Sequence, residues 1–132
     1  MSDPTVVPEA LRYTADHEWF RPDGVEVMVG ITDHAQHQLT DVVFVDLPPV
    51  GKTVAAHGTI LTLESVKTVS DVYAPVAGTV SAVNDLLKVH PELINQDPYG
   101  KGWIFRLRPT ESLRGSEGLS AAEYKAQVAA AP

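Results

Sequence analysis

The sequence predicts a small, mainly β fold of the sandwich or barrel type. Three observations carry this. Short β-rich runs follow one another from 53 to 84 with closely spaced turn signals, which suits packed sheets rather than βαβ units. "GVEVMVGI" (24–31) alternates, with Val25, Val27, Val29 and Ile31 on one face. "PVGKTV" (49–54) is echoed by "PVAGTV" (75–80), which implies two β halves related by a pseudo-twofold, with the turn between them projecting from one end.

Residues 1–10, with Pro4 and Pro8, read as a loose lead-in, which leaves 11–132 as a single domain. After the 24–31 strand, "TDHAQHQL" (32–39) predicts one or two helical turns, with Asp33 as N-cap and Gln36 at the capping-box position. "VVFVDL" (42–47) is strand-like and "PPVGK" stops it. "TVAA" (53–56), "TILTLES" (59–65), "VSDVYA" (69–74) and "TVSAVN" (79–84) then follow, separated by His57-Gly58, Lys67-Thr68 and the turn at 75–78. "PELINQDPYGKG" (91–102) is turn-rich. In the final strand, "WIFRLR" (103–108), Trp103, Phe105 and Leu107 alternate against Arg106 and Arg108. A C-terminal helix from about 120 to 129 is predicted by the Ser120–Glu123 capping box and the Leu119/Tyr124 staple.

With 132 residues the chain has room for one modest core. A formal net charge of −7 argues against nucleic acid or an anionic membrane as partner. The absence of cysteine excludes disulfides, thiolate nucleophiles and zinc–thiolate sites. No apolar run approaches bilayer length, and "MSDPTVVPEALRYT" has neither signal-peptide nor transit-peptide character, so the expected compartment is the cytoplasm. GxSxG, P-loop and GxGxxG patterns are missing, which speaks against an enzyme. His34 and His37 share a helical face, with His17-Glu18 as further ligands, but no HExxH or EF-hand pattern supports a metal.

"ESVKTVSD" (64–71) is nearly palindromic about Lys67-Thr68. Pairing Val66 with Val69 closes a two-residue loop there and sets Leu63 opposite Val72 and Leu61 opposite Ala74, apolar against apolar. The loop lacks the Asn-Gly or Asp-Gly of the primed turns, so it implies a slightly strained or type I connection. Lys67 is then either a solvated charge or an amine held out for acylation, which would remove its charge and leave a long tether.

"HEWFRPDG" (17–24), "VGITDHAQ" (29–36), "VVFVDLP" (42–48), "ESVKTVSDVYAPVAG" (64–78), "VNDLL" (83–87), "PELINQDPYGKGWIF" (91–105) and "AAEY" (121–124) occur in one order. In these blocks, from about 11 to 125, the chain resembles the H-protein family of the glycine cleavage system. The resemblance implies a lipoyl-domain-like barrel-sandwich hybrid of two quasi-symmetric sheets, with a short internal helix and a C-terminal helix. It implies a non-catalytic carrier, expected as a monomer, with lipoate in amide linkage on the lysine matching Lys67. Its partners would be a pyridoxal-phosphate glycine decarboxylase that loads an aminomethyl group, a tetrahydrofolate-dependent aminomethyltransferase, dihydrolipoyl dehydrogenase and a lipoate-attaching enzyme. The loaded arm would fold back into a cleft for which Glu18, Ile31 and Asp71 are candidates by motif position. Beside that stand a surface charge for Glu18, a core residue for Ile31 and a turn cap for Asp71.

Two departures bear on loops. The family usually has "LGD" where this chain has Leu39-Thr40-Asp41, and a β-branched Thr40 is costly in a left-handed C′ conformation. The family's turn glycine tends to lie one position earlier than in "AHG" (56–58). Other swinging-arm carriers are the rivals. A biotin carrier would flank its lysine with methionines, where Val66 and Thr68 stand, and lipoyl domains of 2-oxoacid dehydrogenases lack "HEW" and "PYGKGW". An H-like protein relaying lipoyl groups to other complexes would look the same in sequence.

Overall fold

The computed structural model describes residues 6–113 and 117–130. Period-2 alternation buries Val27, Val29 and Ile31 on β3 (Glu26–Ile31), while Val25 falls in the preceding turn and is exposed. β3 is paired on one side with β2 (Glu18–Asp23), itself paired with the short β1 (Arg12–Tyr13). α1 (Asp33–Leu39) follows β3, and β4 (Val42–Asp46), β5 (Thr53–Val54), β6 (Thr59–Ser65), β7 (Val69–Tyr73) and β8 (Gly78–Val83) come next. A 3-10 turn at Asp85–Lys88, the single-turn α2 (Leu93–Gln96), β9 (Phe105–Pro109) and α3 (Ala121–Ala130) complete the chain. Among the described residues the strands form a six-stranded sheet, β1-β2-β3-β9-β8-β5, and a three-stranded sheet, β4-β6-β7. Their apolar faces meet in one core that includes Val29, Leu63, Val72, Val80 and Phe105.

The repeated hexapeptides pair with each other: Thr53 faces Thr79, Val54 faces Gly78, and the Val80 N–H donates to Lys52 O at 2.8 Å. Equivalent residues meet at Thr53/Thr79, as a local twofold requires. β1 and β2 escape the alternation rule. Trp19 and Phe20 are adjacent and both buried, because β2 lies between two clusters: Phe20 enters the main core and Trp19 a second one with Leu11, Tyr13, Ala121 and Tyr124. Gly30 makes this possible, since a Cβ there would meet the Trp19 ring at 2.6 Å.

The N-cap of α1 is Thr32, not Asp33. Thr32 has the extended backbone a cap needs (φ −75°, ψ 165°) and its hydroxyl accepts from the Ala35 N–H. Asp33 sits in the first turn, where its carboxylate accepts from Gln36 Nε2 (2.8 Å) and from the Val6 N–H (3.0 Å). Residues 1–5 of the lead-in lie outside the described residues, and Val6 is further held by the Tyr99 hydroxyl, which donates to its carbonyl. At α3 the capping box closes in both directions, Ser120 N–H to Glu123 Oε1 (2.9 Å) and Glu123 N–H to Ser120 Oγ (3.2 Å). β1 delivers this helix to the body through the Tyr13/Leu119 backbone bridge.

Both loop departures coincide with a positive φ on a non-glycine residue: Thr40 at φ 63°, ψ −149°, and His57 at φ 64°. At Thr40 the strain is real: its N–H still closes α1 onto Gln36 O, and Asn95 Nδ2 fixes its carbonyl at 2.7 Å.

Candidate functional site

The β6–β7 hairpin differs from the pairing expected of the palindrome. Glu64 faces Val69, Leu63 faces Ser70 and Leu61 faces Val72, so each partner lies two residues nearer the tip than the mirror implied. Side-chain faces are conserved by a shift of two, but the central residues of the turn become Val66 and Lys67 rather than Lys67 and Thr68. Ser65 is the reason. Its Oγ accepts from the Lys67 N–H (3.1 Å) and the Thr68 N–H (3.0 Å), and its own N–H donates to Thr68 O at 2.8 Å. None of residues 65–68 has a positive φ, so the turn is not of the primed kind. Val66 is tied instead to the start of β4, its N–H donating to Asp41 O. Lys67 is exposed at the tip, flanked by Val66 (68% exposed) and Val69 (60%).

Facing this hairpin is the turn that enters β2. Thr14 organises it: its Oγ1 accepts from the Asp16 and Glu18 N–H groups and donates to Glu18 Oε1 at 2.5 Å. Glu18 Oε2 accepts the Tyr73 N–H from β7 at 3.3 Å, which links the two walls. Glu18 is only 2% exposed, so it is no ordinary surface charge. Burial pushes its carboxyl up to about 7, against the opposing pull of the Thr14 and Tyr73 hydrogen bonds and with a further upward push from Asp16.

Between the walls runs a cleft of about 510 Å³, within the range of roughly 300–1,000 Å³ that accommodates small molecules. It brings together all four residues singled out from the sequence. Lys67 and Asp71 line it from the hairpin and Glu18 and Ile31 from β2 and β3, while Leu63 adds to its apolar floor. Asp71 is an exposed β7 residue opposite Thr62, not a turn cap. Ile31 is both core and cleft wall. Asp16, which the motif reading passed over, also lines the cleft; its only sequence signal is its place one residue before the "HEW" block. Carboxylates beside the apolar side chains of one cleft suit a chain that is apolar along its length and cationic at its end.

His17 lies at the same rim, half-buried and in a left-handed conformation at φ 70°. Burial, reinforced by His34, lowers its imidazole below the usual range. The His34 ring packs on it with centroids 4.7 Å apart, while His37 turns to Asp33 at 3.4 Å. Among the described residues no three His, Asp or Glu side chains are grouped to hold a metal ion.

A family model described as glycine cleavage H-protein matches residues 11–131. The chain is 48% identical over 121 residues to the glycine cleavage system H protein of Bacteroides thetaiotaomicron, covering 92% of this chain and 96% of that one. It is 52% identical over 119 residues to the glycine cleavage system H protein of Thermus thermophilus, covering 90% and 93%. A crystal structure of a glycine cleavage system H protein from Mycobacterium marinum superposes with a TM-score of 0.85 at 44% identity, over 93% of this chain and 99% of the other.

Proposed function

Because the chain belongs to the glycine cleavage H-protein family, serving as a lipoyl carrier and not as a catalyst, we propose that Lys67 is its point of attachment. The observation that carries this reading is the shared cleft. The exposed Lys67 lines the same cleft as Glu18, Ile31 and Asp71, so an arm rooted there can swing out or lie back in. When bound, lipoate supplies a dithiolane that takes up the aminomethyl group and ends as a dithiol.

The chain's own residues do the rest. The Ser65-capped turn holds Lys67 clear of the body, so that successive enzymes reach it. Ile31 and Leu63 cover the apolar length of a returning arm and keep water from its end. Asp71 and Asp16 offer exposed carboxylates to a terminal ammonium. Glu18 has one bond on each oxygen and keeps a free lone pair on both, so it can accept from that ammonium without giving up Thr14 or Tyr73. Tethering raises the effective concentration of the cargo at each partner. The partners in this reading are the glycine decarboxylase, the aminomethyltransferase, dihydrolipoyl dehydrogenase and a lipoate-attaching enzyme, met by a monomer in the cytoplasm. The names of the relatives favour glycine cleavage over a 2-oxoacid dehydrogenase lipoyl domain.

Intact mass spectrometry with peptide mapping, after expression with a lipoate source, tests the assignment. A lipoyl increment on Lys67 that disappears in Lys67→Arg is expected. An increment on Lys52, Lys88 or Lys101 instead, or none, overturns it.

A further inference from the structure

We infer that the Tyr124 hydroxyl, carried by the C-terminal helix α3, is a positioning group for the arm cleft. The inference rests on the reading that the lipoyl arm lies in that cleft. Tyr124 Oη is 2.8 Å from His17 Nδ1 and 2.7 Å from Thr32 Oγ1, so one oxygen joins a cleft-lining residue to the cap of α1. His17 precedes Glu18 and itself lines the cleft. Thr32 caps α1, whose Ala35 and Leu39 form the cleft's third side, and its N–H donates to His17 O at 2.9 Å.

Packing accounts for the ring of Tyr124 but not for its hydroxyl. The ring is fully buried and stacked on Tyr13, with centroids 4.7 Å apart and planes 11° from parallel. A buried phenol needs one partner, and this one has two: His17, which lines the cleft, and the buried cap of α1, whose helix lines it too. Meanwhile His17 holds a positive φ, a conformation that persists only where its surroundings over-determine it. Its N–H donates to Thr14 O, its carbonyl accepts from Thr32, and its ring is held between His34 and the Tyr124 hydroxyl. Removing the hydroxyl leaves the helix in place and frees the ring beside Glu18. The loaded arm is then less well enclosed.

Two measurements on the full chain test this. In the unmodified protein, the ring-nitrogen NMR shifts of His17 move in Tyr124→Phe, which keeps the aromatic stack. In the lipoylated, reduced protein loaded with formaldehyde and ammonium, hydrolysis breaks the carbon–sulfur bond, consumes one water and returns thiol, formaldehyde and ammonia. Tyr124→Phe releases formaldehyde about fivefold to tenfold faster than wild type, the scale of one lost hydrogen bond. His17→Asn, whose short side chain tolerates the positive φ and falls short of Tyr124, behaves likewise and serves should Tyr124→Phe fail to fold. Val128→Ala, a packing change in the same cluster, releases at the wild-type rate. Wild-type release rates in Tyr124→Phe, unmoved His17 shifts, or equally fast release from Val128→Ala, overturn the inference. If wild-type carrier releases as fast as carrier unfolded in urea, the cleft reading itself falls.

Discussion

The two walls of the cleft are built on opposite terms. The hairpin wall ends in an exposed Lys67 between two exposed valines, and its turn is held by hydrogen bonds within residues 65–68 and by the Val66 N–H on Asp41 O. The β2 wall ends in Glu18, 2% exposed and bonded to Tyr73 across 55 residues of sequence. A group that several enzymes must reach has to project, and short-range contacts are enough to hold it. A group that must grip a cation in competition with water has to be fixed and partly desolvated beforehand. On the function proposed above, the contrast separates reaching from holding, and each wall answers differently to mutation.

The largest effect belongs to the reaching wall. Lys67→Arg, tested in a reconstituted glycine decarboxylation assay, removes carrier function altogether while leaving urea-unfolding stability within about 0.5 kcal/mol. A stability loss well beyond that would mean the tip is not the independent projection its local hydrogen bonding describes.

Glu18→Gln acts on the holding wall, and its sign is the less intuitive one. The folded-state carboxyl is pushed up to about 7, above its ordinary value of 4.5. The stability this group contributes is therefore complete below pH 4.5 and is lost as pH rises through about 7. Glu18→Gln, which cannot ionise, removes that loss. It should raise stability above pH 7 by on the order of 2–3 kcal/mol and flatten the pH dependence between 4.5 and 7, as urea titrations across that range would show. Grip has the opposite preference, because a cation is held by the ionised form. Retention of a loaded arm weakens as pH falls through about 7 in wild type and is weak throughout in Glu18→Gln. A variant less stable than wild type at pH 8 would break the contrast between the walls.

The same contrast decides what could be read from sequence. Strands β3 and β9 follow from alternation, because in each Val27, Val29 and Ile31 or Phe105 and Leu107 are buried while the residues between them are less so, Gly30 excepted. The hairpin wall is short-range, so its lysine and its turn were legible. Its register was not: the mirror symmetry of "ESVKTVSD" favoured pairing the valines, whereas the Ser65 hydroxyl captures two amides and moves the turn by one residue. β2 was illegible because two cores bury both of its faces, which erases the period. Glu18 and Asp71 were located by motif resemblance, yet only the fold shows the one buried and the other exposed. Tyr124 read as a helix staple. Its link to His17, 107 residues away, has no sequence signal.

Ser65→Ala sharpens the description of the tip. It deprives the Lys67 and Thr68 amides of their common acceptor, but both stand in water that can replace it. The expected cost is about 0.5–1 kcal/mol, with faster amide exchange confined to residues 65–68. Exchange that spreads into β6 and β7 would show the turn to be a determinant of the hairpin and not just its end.

A comparably small effect tests whether strain on the cleft's third side is structural or stored for use. Thr40 terminates α1, the helix whose Ala35 and Leu39 line the cleft, in a backbone region that only glycine enters freely. Relief of that strain in Thr40→Gly is worth about 1–3 kcal/mol, against about 0.5–1 kcal/mol of extra unfolded-chain entropy. The net gain is therefore about 1 kcal/mol. His57→Gly, at a left-handed turn in β-sheet connections outside that cleft, gains less, because histidine tolerates positive φ better than a β-branched residue does. Asn95 holds both the Thr40 carbonyl and the Gln36 side chain, so the helix end keeps its place when the strain is removed. Formaldehyde release from the loaded carrier then stays at the wild-type rate in Thr40→Gly. Faster release accompanied by higher stability would show instead that the strained helix end presses α1 onto the arm, and Thr40 would join Glu18 among the groups that hold.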